Sequence, residues 1–281
     1  MIYYPDFFVD QLLLDDVNQG DLTTRSLGIV NREGIMTFIM KNKSRLSGVS
    51  LTCKILKKLN LNIIYAACDG SDLEAGAEII KAAGKADVLH QAWKVCQNIL
   101  EWSCGVAGYM SQMLAIAREF NPNIQIVCTR KNIPGTKLIA LEAILNGGGQ
   151  IHRCGTAETV LLFANHRYLF DEPDNWARQI EILRKNTPEK KIIVEADKLE
   201  DVNLIIQAKP DVIQLDKFTP DDIKYVLQLV TQSNSQIEIS AAGGINKDNV
   251  AEYAQTGVLM LVTSSAYYAN PANVKVIIKP A

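Results

Sequence analysis

Between residues 130 and 153 the chain places Arg130, Lys131, Lys137, His152 and Arg153 around two glycine-bearing turns, Pro134-Gly135 and Gly147-Gly148-Gly149, with apolar sequence between them. Such a concentration of cationic groups suits an anion with more than one charged oxygen, because charge-assisted hydrogen bonds are the strong ones. Further along, Glu195 in KIIVEAD (191–197) and Asp216 in DVIQLDK (211–217) close apolar runs. Two carboxylates beside a polyanion suit sugar hydroxyls and Mg²⁺, a hard ion that bridges carboxylates to substrate phosphates; the bland alternative is a pair of surface charges. Gly243-Gly244 follows IEISAA, and Thr263, Ser264 and Ser265 end LMLVTSS (259–265). Paired glycines let backbone N–H groups approach a phosphate at a helix start, or serve only as a tight turn. Taken together, these groups point to a phosphorylated sugar that loses a charged leaving group.

The elements that would hold these groups read as an α/β barrel. KIIVEAD, DVIQLDK, IEISAAGG and LMLVTSS are short Ile- and Val-rich runs, separated by the helix-patterned KLEDVNLIIQAK, TPDDIKYVLQLVTQ and NKDNVAEYAQTG. Strand–helix–strand at this spacing implies parallel pairing with right-handed crossovers. Thr219-Pro220-Asp221-Asp222 reads as an N-cap, a proline at the first helical position and acids in the first turn; Gly257 reads as a helix-ending glycine. IQIVCTR (124–130) and a short strand near 150–154 extend the pattern, giving six or seven strands in an open or closed barrel. In such barrels the working groups sit at the C-terminal strand ends, with phosphate on the loops after the last two strands. Arg130, Lys131, His152, Arg153, Glu195, Asp197, Asp216, Lys217, Gly243, Gly244 and Thr263 to Ser265 all fall there.

Residues 1–110 differ, mixing short strands, turns and a helix near LTCKILKKL into an α+β sandwich domain. ADVLHQAWKVCQNILEWSCGVAGYMSQMLAIAREF (86–120) is read as two helices broken at Gly105. The barrel domain is set at 111–265, and the tail 266–281 is a candidate to return to the N-terminal domain.

Bulk properties narrow the function. With a hydrophobic share of 48% and a net charge of −2, and a pI near 6.0, no global basic field exists for nucleic acid. No apolar run reaches the roughly 18 residues that span a bilayer. The acidic start MIYYPDFFVDQLLLDDV lacks a signal peptide's basic n-region, so a cytoplasmic protein is expected. The six cysteines form no CxxC pair and are read as buried free thiols.

The order GDLTT (20–24), TRKxxPG (129–135), GGGxxHR (147–153), NH (165–166), VEAD (194–197), LD (215–216) and AGGI (242–245) resembles the quinolinate phosphoribosyltransferase (nicotinate-nucleotide pyrophosphorylase) family over essentially the whole chain. The resemblance implies an N-terminal α/β sandwich, a C-terminal open α/β barrel and a homodimer or higher homo-oligomer with a shared active site. It implies that phosphoribosyl pyrophosphate (PRPP), with Mg²⁺, transfers its ribose 5-phosphate to a heteroaromatic acid and releases pyrophosphate. It also implies roles. Arg130, His152 and Arg153 would hold the acceptor's carboxylate and Lys131 would meet pyrophosphate. Glu195 and Asp216 would hold ribose hydroxyls and metal, Gly243 and Gly244 the 5′-phosphate, with Ser264 beside them.

The chain departs from the family pattern at several positions. Trp102 stands where an acceptor-binding arginine is expected, and Phe163 where a lysine precedes the NH motif. Ala140-Leu141 replaces a glutamate–lysine pair, Ala242 a serine and Tyr268 a histidine. Each lost cation removes about 1.5–3 kcal/mol, and the two together roughly two to four decades in quinolinate affinity or turnover. The acceptor is therefore expected to be quinolinate-like but not quinolinate. FANHRYLF and TSSAYYANPANVKV are similar to the ModD branch of the family, encoded with molybdate-transport components. Trp102 and Phe163 either stack on a flatter, less acidic acceptor or pack at a dimer seam.

A second class of function is a retired transferase that binds an oxyanion such as molybdate, or a phosphorylated effector. The two carboxylates oppose it, because they repel a bare oxyanion. A Schiff-base barrel enzyme has only Lys131 and Lys217 at strand ends, and the transferase reading already accounts for both.

Overall fold

The computed structural model describes residues 2–17 and 19–281. In chain order the first elements are α1 (Asp6–Val17), α2 (Leu22–Ser26), β1 (Glu33–Met40), β2 (Ser44–Arg45), α3 (Val49–Lys58), β3 (Asn62–Ala66), β4 (Asp72–Leu73), β5 (Glu78–Lys85) and α4 (Ala86–Phe120). They are followed by β6 (Gln125–Cys128), α5 (Lys137–Asn146), β7 (Gln150–Ile151), β8 (Val160–Leu162), α6 (Ala164–Arg167), α7 (Trp176–Asn186) and β9 (Ile192–Ala196). The last are α8 (Val202–Ala208), β10 (Val212–Asp216), α9 (Pro220–Gln232), β11 (Glu238–Ala242), α10 (Val250–Ala254), β12 (Met260–Thr263) and β13 (Val274–Pro280). Two compact units result: residues 1–111, 132–148 and 266–281 form one, and residues 112–131 and 149–265 the other. Among the described residues no helix is long and apolar enough to cross a membrane.

The first unit is built on an antiparallel sheet in the order β13-β1-β5-β3. Alternate residues of β1, Met36, Phe38 and Met40, are fully buried, as a strand with one covered face requires. They meet Leu51, Ile55 and Leu56 of α3 in one hydrophobic core. The tail returns here: Val274 pairs with Met40 and Pro280 with Gly34.

Two expectations change in this unit. Residues 132–148 belong to it, because α5 is anchored by first-unit partners: the Tyr4 hydroxyl donates to Glu142 Oε2 (2.6 Å) and Asn146 Nδ2 to Ser47 Oγ (2.9 Å). The break at Gly105 is absent, since α4 runs unbroken from Ala86 to Phe120. Gly105 serves close approach instead: a Cβ there would lie 2.4 Å from the Asn270 carbonyl oxygen and 2.9 Å from Pro271 Cα.

The second unit is the seven-stranded parallel sheet β7-β6-β12-β11-β10-β9-β8, curled into an open half-barrel. Registers such as Val212–Glu238 and Leu215–Ala241 place β10 directly beside β11. Thr219 caps α9 by accepting from the Asp222 N–H, with Asp222 reciprocating and Pro220 at the first position. Gly257 takes φ +92° two residues past the C-cap of α10, Gln255. The segment after the paired glycines is corrected: Asn246 to Asn249 form a turn, and the helix starts only at Val250. The thiols are corrected as well. Cys96, Cys104 and Cys128 are buried, whereas Cys53 and Cys154 are half-buried and Cys68 is exposed. Burial pushes the Cys104 thiol up to about 12.

Candidate active site

Because side chains alternate across a strand, every second residue of the half-barrel faces its interior, and the chemistry collects where those columns reach the C-terminal strand ends. A cavity of about 400 Å³ lies there within the second unit, lined from seven strands. Thr129, Arg130 and Lys131 leave β6, His152 and Arg153 leave β7, and Leu161 and Phe163 come from β8. Glu195 of β9 and Gln214 and Asp216 of β10 form the floor. Gly243 to Asn246 after β11 and Thr263 to Ser265 at the end of β12 complete the wall.

The cations are held against one another. Burial, then the Arg153 charge, depresses the His152 imidazole below its usual value, so the ring is neutral at pH 7. Burial and Arg130 likewise lower Arg153, and Glu195 opposes that shift. The Arg153 guanidinium lies 5.4 Å from the Phe163 ring centroid, and the His166 ring stacks on Phe163 at 5.8 Å and 21°. His166 Nδ1 accepts from the Phe163 N–H (3.1 Å), which fixes the imidazole beside the ring.

The carboxylates line the same cavity. Glu195 is raised by burial and then by the charge of Asp216, while a bond from Gln214 Nε2 (3.2 Å) and the charge of Lys131 act the other way. Among the described residues no set of three or more His, Cys, Asp or Glu side chains gathers into a metal cage. A carboxylate pair at neighbouring strand ends does suit one Mg²⁺ whose remaining ligands would come from substrate oxygens and water.

The glycine turn is shaped by the carboxylate beside it. Gly243 and Gly244 take φ +89° and +75°. A Cβ on Gly243 would lie 2.6 Å from Lys217 N and 2.8 Å from Asp216 Oδ1, so only glycine carries the backbone past the end of β10. Asn246 and Asn249 donate their side-chain N–H groups to Gly244 O (3.3 and 3.1 Å), and the Thr263 hydroxyl donates to Ile245 O (2.6 Å). These bonds brace the turn from within the chain.

Thirteen of the residues singled out from the sequence thus meet in one cavity: Arg130, Lys131, His152, Arg153, Phe163, Glu195, Asp216, Ala242, Gly243, Gly244, Thr263, Ser264 and Ser265. Others do not join them. Trp102 lies on α4, half-buried against the core of the first unit. Lys137 is an exposed residue at the head of α5 in that unit, and Asp197 is exposed just past β9. Gly147 is a packing glycine, since a Cβ there would meet Ala107 O at 2.7 Å. Sequence reasoning missed Gln214, and passed over β8 as a strand. The signal for Gln214 was present: a polar residue inside VIQLD, two positions before Asp216 and so on the same face.

Residues 21–104 match the family described as "Quinolinate phosphoribosyl transferase, N-terminal domain" and residues 106–276 its "C-terminal domain". A relative from Escherichia coli O157:H7, named "Putative pyrophosphorylase ModD", is 46% identical over 281 residues, covering 100% of this chain and 99% of that protein. Its namesake from Pasteurella multocida is 45% identical, covering 99% of each chain. Among solved structures, the nicotinate-nucleotide pyrophosphorylase from Ehrlichia chaffeensis superposes with a TM-score of 0.90 at 21% identity, over 99% of this chain and 100% of that one.

Proposed function

Because the chain belongs to the quinolinate phosphoribosyl transferase family, we propose that it transfers the ribose 5-phosphate of PRPP to a heteroaromatic acid other than quinolinate and releases pyrophosphate. The observation that carries this reading is the single cavity whose lining combines three cationic residues, His152, two carboxylates and the Gly243-Gly244 turn. Gly243 and Gly244 take the 5′-phosphate on backbone N–H groups. Glu195 and Asp216 take the ribose hydroxyls and Mg²⁺, and Lys131 meets the pyrophosphate. Bound Mg²⁺ would supply charge neutralisation at the departing phosphates. As the C1–O bond of the ribose breaks, positive charge grows on the sugar and negative charge on the leaving group. Fixed cations on one side and carboxylates on the other stabilise that separation with no reorganisation.

The acceptor lies toward β7 and β8. Arg130, Arg153 and the neutral His152 offer its carboxylate hydrogen bonds, and Phe163 offers a flat face. Phe163 also supports Arg153 where a lysine would repel it, a cation–π contact worth about 0.5–2 kcal/mol. This supports an acceptor with fewer charges than a pyridine dicarboxylate. The placement of Trp102 against the first unit's core supports packing rather than stacking on substrate.

The test is calorimetry with PRPP and Mg²⁺, followed by pyrophosphate release across pyridine, pyrimidine and pterin carboxylic acids. Micromolar-to-millimolar PRPP binding, and turnover lost at least a hundredfold in Glu195→Ala and Asp216→Ala, is the expected result. No PRPP binding at millimolar ligand, with tighter molybdate binding in those two variants, would identify an oxyanion receptor instead.

A further inference from the structure

We infer that Gln214 is a positioning residue for Glu195, and that a water molecule bridging Gln214 to the Ser240 hydroxyl holds its amide in place. Glu195, Gln214 and Ser240 stand side by side on three neighbouring strands: Gln214 pairs in register with Glu195 on β9 and with Ser240 on β11. Gln214 is 5% exposed and Ser240 1%. They sit between apolar interior clusters, with Leu161, Ile193 and Val212 on one side and Val127, Ala242 and Val262 on the other. Polar side chains persist in such surroundings only when hydrogen-bonded.

One half of the amide has a partner. Gln214 Nε2 donates to Glu195 Oε2 at 3.2 Å; an ionised carboxylate accepts only donors, so the NH₂ group must face it. The carbonyl oxygen, Oε1, and the Oγ of Ser240, its register partner on β11, are both buried without a protein partner. One is an acceptor and the other can donate, and both atoms are enclosed. Gln214 lines the site cavity and Ser240 lines a second cavity at the opposite end of the same strands. A single water accepting from Ser240 Oγ and donating to Gln214 Oε1 satisfies both atoms. The amide cannot then flip, and its NH₂ group holds the Glu195 carboxylate in one rotamer facing the cavity.

The activity consequence rests on the transferase reading above, whereas the geometry stands apart from it, so the test has two arms. The first is a high-resolution crystal structure of the full chain alongside Ser240→Ala and Gln214→Met. The wild type is expected to show one water within about 3 Å of both atoms and a single Glu195 rotamer. Ser240→Ala is expected to lose the water, and the near-isosteric Gln214→Met to leave Glu195 in several rotamers. The second arm is PRPP affinity with Mg²⁺, with melting temperature as the folding control. Gln214→Met is expected to weaken binding about tenfold or more and Ser240→Ala about threefold, while Ser240→Thr, which keeps the hydroxyl, stays within about twofold of wild type. A wild type without the bridging water, or Gln214→Met with an ordered Glu195 and wild-type affinity, overturns the inference. A wild type that binds no PRPP but shows the water and the single rotamer overturns the transferase reading and leaves the positioning role intact.

Discussion

The half-barrel carries a cavity of similar size at each end, about 400 Å³ at the C-terminal ends of all seven strands and about 460 Å³ at the N-terminal side of β6, β10, β11 and β12, beside α9. Their linings differ in kind. The first gathers cations, carboxylates and a glycine turn. The second is lined by Val212, Leu227, Val230, Ile237, Ile239, Leu259 and Met260 with the polar Gln125, Thr231, Glu238 and Ser240, and no cationic residue among them. Volume therefore says nothing about which end works. What separates the ends is the chain leaving each strand. At the C-terminal end it enters turns whose backbone and first side chains point over the interior, while at the N-terminal end helices arrive to be packed.

The sharpest way to break this comparison is Gly243→Ala. A Cβ 2.6 Å from Lys217 N, at φ +89°, forces the turn away from Asp216. About 1–3 kcal/mol of stability should be lost, and PRPP affinity should fall at least tenfold; denaturant unfolding and calorimetry measure the two. An unchanged affinity would show that the turn is only a connection.

Arg153→Ala should act next, lowering turnover about ten- to a hundredfold through the loss of charge-assisted hydrogen bonds. It also reports on the neighbourhood. The His152 midpoint lies below the ordinary value of about 6.5, because burial and then the Arg153 charge disfavour the imidazolium. The unfolded chain takes up that proton first as pH falls, so this group destabilises the fold progressively as pH drops through about 6.5. Removing Arg153 should raise the midpoint without restoring it fully, since burial remains, and NMR titration of the imidazole nitrogens follows this directly. A midpoint that does not move would place the guanidinium away from the ring. Smallest is the effect at the other mouth. Leu259→Ala, at a residue 59% exposed, should leave turnover within about twofold and stability within about 0.5 kcal/mol.

Much of the second unit is legible in the amino-acid sequence because its signals are local. Ile- and Val-rich runs, a Thr-Pro-Asp-Asp helix start and charged residues just past apolar strands each declare themselves within a few positions. Local signals also mislead. Gly105 reads as a break, since glycine is a poor helix former, yet the helix continues because Asn270 and Pro271, far along the chain, need the space. Val160–Leu162 is too short and too close to the helical ANHR to stand out as a strand, and only pairing with β9 defines it.

By itself the sequence determined which groups are available at the strand tips, because in a parallel α/β chain the end of each apolar run fixes where a side chain is presented. The tertiary structure alone decided which of them meet. It gathered Phe163 with Arg153 and His166, took Lys137 and Trp102 into the first unit, and set Gln214 between Glu195 and Ser240. Register across neighbouring strands is a long-range property, settled by how the sheet's two faces are buried and not by any residue's immediate neighbours.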